Sequence, residues 1–198
     1  MDEPLDPKIV QEGPLYNPFR TPNPPIKQKY NDYSCETFIR ETKCSVVYLG
    51  SDLVDGSNVA LKFIKRRENK SEQILRELSI MQQFNDPRLL RFKKVFPYKE
   101  FICVVMPYAS FQSIQCLIND DYKQGIPETY ASVMMKQMLE AVIVLHSKGV
   151  WHRDIKPDNF LVFDKRLEFL NIVLADFGYS KKYSEGETDD KFLGTMMY

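Results

Sequence analysis

An α+β fold in two parts is predicted, and three observations predict it. Between Tyr33 and Met106, short β-prone runs alternate with turn signals around one amphipathic helix. After Pro107-Tyr108-Ala109-Ser110 the apolar spacing becomes helical. With 43% hydrophobic and 27% charged residues over 198 positions, the composition is that of a folded chain. Its length suits one ordinary domain or two small lobes.

Residues 1–32 stand apart, since seven of the twelve prolines fall between Pro4 and Pro25. A flexible leader is expected there, extended or disordered and without ladders or helices. Pro4-Leu5-Asp6-Pro7 and Pro22-Asn23-Pro24-Pro25 also match PxxP spacing. That gives a second reading, in which residues 4–25 engage a partner domain that recognises Pro motifs.

Beyond Tyr33, Phe38-Ile39 and Val46–Leu49 read as strands. Asp55-Gly56 supplies a hairpin turn before the third, Val59–Ile64. The basic run Lys65–Lys70 has no interleaved aromatics, so it reads as a solvated loop rather than a nucleic-acid patch. Ser71 is a plausible N-cap, with Ile74, Leu78 and Met81 on one helical face and Asn85-Asp86-Pro87 as the stop. Leu89–Phe96 and Phe101–Met106 complete a lobe of about five strands and one helix. Gln112–Asn119 is expected to form a short helix. A long one starts near Pro127 and carries Ala131, Met134, Met138, Val142 and Leu145, with Lys148 and Gly149 at its end.

Lys+Arg and Asp+Glu balance at 27 each, so no global field points to nucleic acid or to a charged membrane. The N-terminus lacks a secretory pattern, and the longest apolar run, Phe101–Met106, is too short to span a bilayer. The four cysteines form no CxxC pair, and with two histidines they argue against a zinc site and for reduced thiols. A cytoplasmic protein is expected, with the nucleus left open.

The chemistry is concentrated between His152 and Gly178. His152-Arg153-Asp154-Ile155-Lys156-Pro157-Asp158-Asn159 and Asp176-Phe177-Gly178 set carboxylates, a lysine and a carboxamide a few residues apart. That grouping suits holding a metal-bound phosphate and orienting a hydroxyl beside it. It resembles the catalytic loop and metal-binding turn of eukaryotic protein kinases, and from Tyr33 onward the parts follow that family's order. The resemblance implies a bilobal protein-kinase-like fold with a kinase domain over 33–198. Within it, 33–106 would be the N-lobe, 107–110 the hinge and 111–198 a partial C-lobe.

The resemblance also implies roles. Lys62, in Val59-Ala60-Leu61-Lys62, would pair with the α- and β-phosphates of ATP, and Glu77 would hold it there. Asp154 would orient the substrate hydroxyl and accept its proton, and Lys156 would neutralise the transferring phosphoryl group. Asn159 and Asp176 would hold Mg2+. Val47 and Ala60 would cover the adenine from above and Leu161 from below, with Met106 behind. The carbonyl of Pro107 and the amide of Ala109 would bind its edge. Met81, Phe92, His152 and Phe177 fall where the family stacks a spine, so His152 reads as structural, as does His146 at the end of the long helix. Lys156-Pro157 resembles the serine/threonine kinases. Asp158–Leu161 and Ser180–Tyr183 resemble casein kinase one and the calcium-dependent kinases alike.

Two departures and one regulatory feature matter. The glycine positions of the phosphate loop hold Arg40, Thr42 and Ser45, which implies weaker nucleotide binding or a different loop path. Gly194–Tyr198 resembles the segment just before the family's Ala-Pro-Glu motif, which implies a C-terminally truncated domain. Ser184 and Thr188 are candidate phosphorylation sites, yet Glu185, Glu187, Asp189 and Asp190 already carry negative charge around them. The expected function is transfer of the γ-phosphoryl group of ATP to protein serine or threonine hydroxyls. The alternative is a nucleotide-weak pseudokinase or kinase fragment acting as a binding module.

Overall fold

Alternation along the strands builds the first half of the protein. In the computed structural model, residues 5–20, 22–67, 70–184, 186, 188, 194 and 195 are described. The chain divides into two units, Met1–Leu78 with Arg91–Tyr108, and Ser79–Leu90 with Ala109–Tyr198.

The first unit is a six-stranded antiparallel sheet. Its strands are β1 (Gln28–Tyr30), β2 (Tyr33–Glu41), β3 (Ser45–Asp52), β4 (Asn58–Lys65), β5 (Lys94–Tyr98) and β6 (Phe101–Pro107), in the order β1-β2-β3-β4-β6-β5. Val46, Tyr48 and Gly50 of β3 face Phe63, Leu61 and Val59 of β4, so one face of both strands is apolar and buried. Phe63 is the hub of this core, with Tyr30, Tyr48, Tyr98 and Phe101 all edge-on to it. Gly50 has to be glycine, because a Cβ there would lie 1.9 Å from the Ser34 carbonyl oxygen of β2. Helix α2 (Ser71–Gln83) takes Ser71, expected as its N-cap, as its first residue, with the Ile74 amide bonded to the Lys70 carbonyl, and the boundary between the units falls within it.

The leader departs from expectation. It contributes the sixth strand, β1, and a single helical turn, α1 (Lys8–Gln11). Proline cannot donate to a ladder, but its carbonyl still accepts. The hydroxyl of Tyr48 donates to Pro24 at 3.0 Å and that of Tyr30 to Pro25 at 2.8 Å. The basic run is also not simply solvated, since Lys65 and Arg66 are buried. Lys65 pairs with Glu41, while the guanidinium of Arg66 donates to main-chain carbonyls of the leader. Pro4, Glu68 and Asn69 lie outside the described residues.

The second unit holds α3 (Ile114–Asp121), α4 (Glu128–Ser147) and the short strands β7 (Val150–Trp151), β8 (Phe160–Asp164), β9 (Asn171–Leu174) and β10 (Lys181–Lys182). Tyr130, Met134, Ala141 and Leu145 are the buried stripe of α4. Gln137 lies between them and clips the helix to β9, donating to the Leu170 carbonyl and accepting from the Ile172 amide. β8 and β9 pair as an antiparallel hairpin.

Two boundaries moved for local reasons. Gln112 has φ +58°, outside helical space, and the hydroxyl of Ser113 accepts from the Cys116 amide, so α3 begins at Ile114. Leu89 and Leu90 were expected in a strand with Phe96. The Leu90 amide instead donates to Leu174 of β9, and β5 starts only at Lys94. No helix of the described residues is long and apolar enough to cross a membrane.

Candidate active site

Register alone puts one group of candidates on a single face of the first unit. Arg40 pairs with Val47, Val47 with Lys62, and Ala60 with Met106, so all five side chains share the face opposite the aromatic core. Lys62 Nζ reaches Glu77 Oε1 of α2 at 2.7 Å, in a pair whose side chains are only 20% and 12% exposed. A partly buried pair with this geometry fixes a long, flexible side chain in one place. Pro107 ends β6 opposite Val59, where its missing N–H interrupts nothing beyond the ladder.

The β2–β3 turn uses its own polar groups. Thr42 N–H donates to the Ser45 carbonyl, and the Thr42 hydroxyl oxygen accepts from the amides of Cys44 and Ser45 at 3.3 and 3.0 Å. The tip is tied down as well, since the Cys44 carbonyl accepts from Lys65 N–H and the Lys43 carbonyl from Arg67 Nη2. The three residues standing at the glycine positions therefore play different parts. Arg40 is exposed on the lysine face, while Thr42 and Ser45 close the turn.

The second unit assembles the other group. Asp154 is buried, and donors fill both of its carboxylate oxygens. Oδ1 accepts from the Thr195 amide at 3.0 Å and from the Thr195 hydroxyl at 2.9 Å. Oδ2 accepts from Asn159 Nδ2 at 3.0 Å and pairs with Lys156 Nζ at 2.8 Å. Lys156 also donates to the Thr195 hydroxyl, so the four residues form one connected network. Burial acts to raise the Asp154 carboxyl, but the hydrogen bonds from Lys156, Thr195 and Asn159 outweigh it and hold the group below its ordinary value.

Local backbone positions each member. The 3-10 turn Pro157–Asn159 presents Asn159, whose carbonyl accepts from the Ala175 amide. That bond brings Asp176 beside the loop. Asp176 adopts φ +61°, a left-handed conformation that aspartate tolerates better than most residues, immediately before the 3-10 turn Phe177–Tyr179. Leu161 is held by a bridge between β8 and Ser113, and the Ala109 carbonyl accepts from Gln112.

His152 is a structural member, as its sequence context suggested. Its Nε2–H donates to the Ala175 carbonyl at 2.9 Å, while Nδ1 accepts from the Asp154 amide, so the neutral ring satisfies both contacts. Burial pushes its pKa below the ordinary imidazole value, against the pull of the Ala175 carbonyl and of Asp176 and Asp154. The ring stands edge-on to Phe177, which in turn packs on Phe84.

Thr195 was not among the site residues read from the sequence, although it donates twice to Asp154. The signal was its neighbour. Gly194 has φ +106°, and a Cβ there would lie 2.7 Å from the Arg153 carbonyl oxygen, so only glycine lets the chain pass this close. Of the acidic run, Glu185, Glu187, Asp189 and Asp190 lie outside the described residues, as do Met196–Tyr198.

Comparison with known proteins agrees with this geometry. Residues 33–198 match the protein kinase domain. The chain is 30% identical to CBL-interacting serine/threonine-protein kinase 21 of Arabidopsis thaliana, over 86% of its own length and 40% of the relative's. It is 33% identical to human NUAK family SNF1-like kinase 1, over 72% of itself and 21% of that protein. With mouse death-associated protein kinase 2 the identity is 29%, over 71% and 39%. The chain thus spans well under half the length of these curated relatives. On the family match and the order of its parts, the chain belongs to the protein kinase family.

Proposed function

We propose that this protein transfers the γ-phosphoryl group of ATP to serine or threonine hydroxyls of protein substrates, in a kinase domain over 33–198 with a lobe at 33–106, a hinge at 107–110 and a second lobe from 111. The observation that carries this reading is the Asp154 network. A carboxylate kept ionised and fixed by Lys156, Asn159 and Thr195 is suited to orient an incoming hydroxyl and accept its proton. Thr195 already offers Asp154 the hydroxyl donor that a substrate side chain would offer. Lys156 supplies a cation beside the group in transfer, and Lys62, steadied by Glu77, supplies one at the other phosphates. In the first unit Val47, Ala60 and Met106 share one face and would offer the base apolar surface, with Pro107 at its end; in the second, Leu161 and the Ala109 amide are assigned to the base by the resemblance alone.

The donor chemistry fits magnesium. The Asn159 amide nitrogen is spent on Asp154, which leaves its oxygen, and Asp176 adds a carboxylate. Magnesium takes one or two protein oxygens and completes its shell with water and phosphate. When bound, it neutralises charge on the phosphates.

A second reading, a binding module with weak nucleotide affinity, is favoured by one feature. Thr42 holds the Cys44 and Ser45 amides inside their own turn rather than leaving them for a phosphate. A Pro-motif partner gains little from the second PxxP stretch, because Pro24 is buried and its carbonyl is taken by Tyr48.

Asp154→Asn separates the readings. Turnover is expected to fall by at least about a hundredfold while the nucleotide dissociation constant stays within about twofold. Equal turnover in both proteins would remove Asp154 from the chemistry, and no turnover in either, with nucleotide still bound, would leave the binding-module reading.

A further inference from the structure

The leader carries contacts that phosphoryl transfer does not require. α1 is a single turn, far too short to be helical by itself, so its order comes from what it docks on. Val10 at its centre is 1% exposed. The Arg66 guanidinium donates from Nη2 to the Val10 carbonyl at 3.1 Å and from Nη1 to that of Ile9 at 3.5 Å. These carbonyls end the turn and have no further helix to bond. Ser71, the first residue of α2, points its hydroxyl at the same Val10 oxygen, 3.5 Å away. One leader carbonyl thus joins a buried cation to the start of the helix that bears Glu77.

The path onward is equally specific. Gly13 crosses the guanidinium with φ +112°, and a Cβ there would lie 3.0 Å from Arg66 Nη1. Three residues later the Tyr16 amide donates to the Arg66 carbonyl at 2.6 Å. The Tyr16 ring lies edge-on to Phe101 at 5.4 Å, with Lys65 Nζ 5.0 Å from its centroid. Just after Tyr16 the chain turns at Asn17, and Phe19 on that turn is 95% exposed.

We propose that the face made by Arg66, Ser71 and Phe101 is a peptide-docking site whose occupant is the chain's own segment Lys8–Tyr16, and that its occupancy positions α2, and with it Glu77, against Lys62. The recognition elements are a buried aliphatic side chain, two turn-ending carbonyls for a guanidinium, a glycine where the chain crosses it, and an aromatic ring beneath an ammonium. Val10 and Gly13 are positioning residues that act through α2. The consequence for nucleotide binding rests on the kinase reading above, whereas the docking does not.

The test is hydrogen exchange on the full chain, comparing wild type with Val10→Asp, Gly13→Val and the control Phe19→Ala. In the first two, the α2 amides from Ile74 onward are expected to exchange about tenfold faster while β3 and β4 keep their protection. Affinity for a non-hydrolysable ATP analogue is expected to weaken by a similar factor. A synthetic peptide of residues 5–20, added in trans, is expected to restore both, and Phe19→Ala to match wild type. Unchanged α2 exchange in a variant whose residues 8–16 have lost protection would overturn the proposal, as would loss of protection throughout the sheet. If wild type fails to bind the analogue, the kinase reading falls while the exchange data still decide the docking.

Discussion

Asp154 shows how far residue-level chemistry can be read from a string of letters. Asp154, Lys156 and Asn159 were legible because they sit within six positions, and the structure joins them in one network. Thr195 was not, because it comes from forty-one residues downstream and only the folded chain brings its hydroxyl to Oδ1. His152 adds a pH dependence that follows from its burial, which outweighs the pull of the Ala175 carbonyl. Its native pKa is pushed below 6.5, so the unfolded state binds the proton more readily. Its contribution to stability is therefore complete above pH 6.5 and is lost as pH falls from there through the lowered native value. Urea denaturation at stepped pH is expected to show this loss, at a slope of up to about 1.4 kcal/mol per pH unit. In His152→Gln the slope over that window is expected to flatten; an unchanged slope would assign the titration elsewhere.

At the scale of elements, the periodic strands and helices and both ends of α4 were read correctly, whereas the starts of α3 and β5 were not. The α3 start depended on a left-handed Gln112, which no spacing rule reveals, and the β5 start on backbone bonds that Leu90 makes to a strand far downstream. The β2–β3 hairpin was read through its missing glycines, yet the decisive detail is a hydroxyl. The Thr42 hydroxyl satisfies the Cys44 and Ser45 amides, the groups that the proposed function would direct at a phosphate. Thr42→Gly is expected to release those two amides and tighten ATP binding by about three- to tenfold, at about 1 kcal/mol per hydrogen bond regained by the ligand. Calorimetric titration checks it, and unchanged or weaker binding would mean that the turn does not withhold them.

The leader is where composition misled at the scale of the whole molecule. Seven prolines in the first 25 residues argue for an unstructured tail, and proline does exclude long ladders there. What composition hides is that single anchors suffice. Burying Val10 contributes about 1.5–3 kcal/mol, and the hydroxyls of Tyr30 and Tyr48 add hydrogen bonds to carbonyls that proline leaves intact. The two units were foreseeable from the change of periodicity after Met106, whereas the assignment of Ser79–Leu90 to the second was not. It goes with the Leu90 amide and the Arg88 carbonyl, which both bond Leu174 of β9. Each unit carries one group of the candidate residues, Lys62 with Glu77 in one and the Asp154 network in the other. The most direct measurement of whether the halves act together is transfer of labelled γ-phosphate from ATP and magnesium to a serine- and threonine-bearing protein acceptor. Time-dependent phosphoserine or phosphothreonine, absent with Asp154→Asn, is the predicted result; no transfer by the wild-type chain, or equal transfer by the variant, would contradict it.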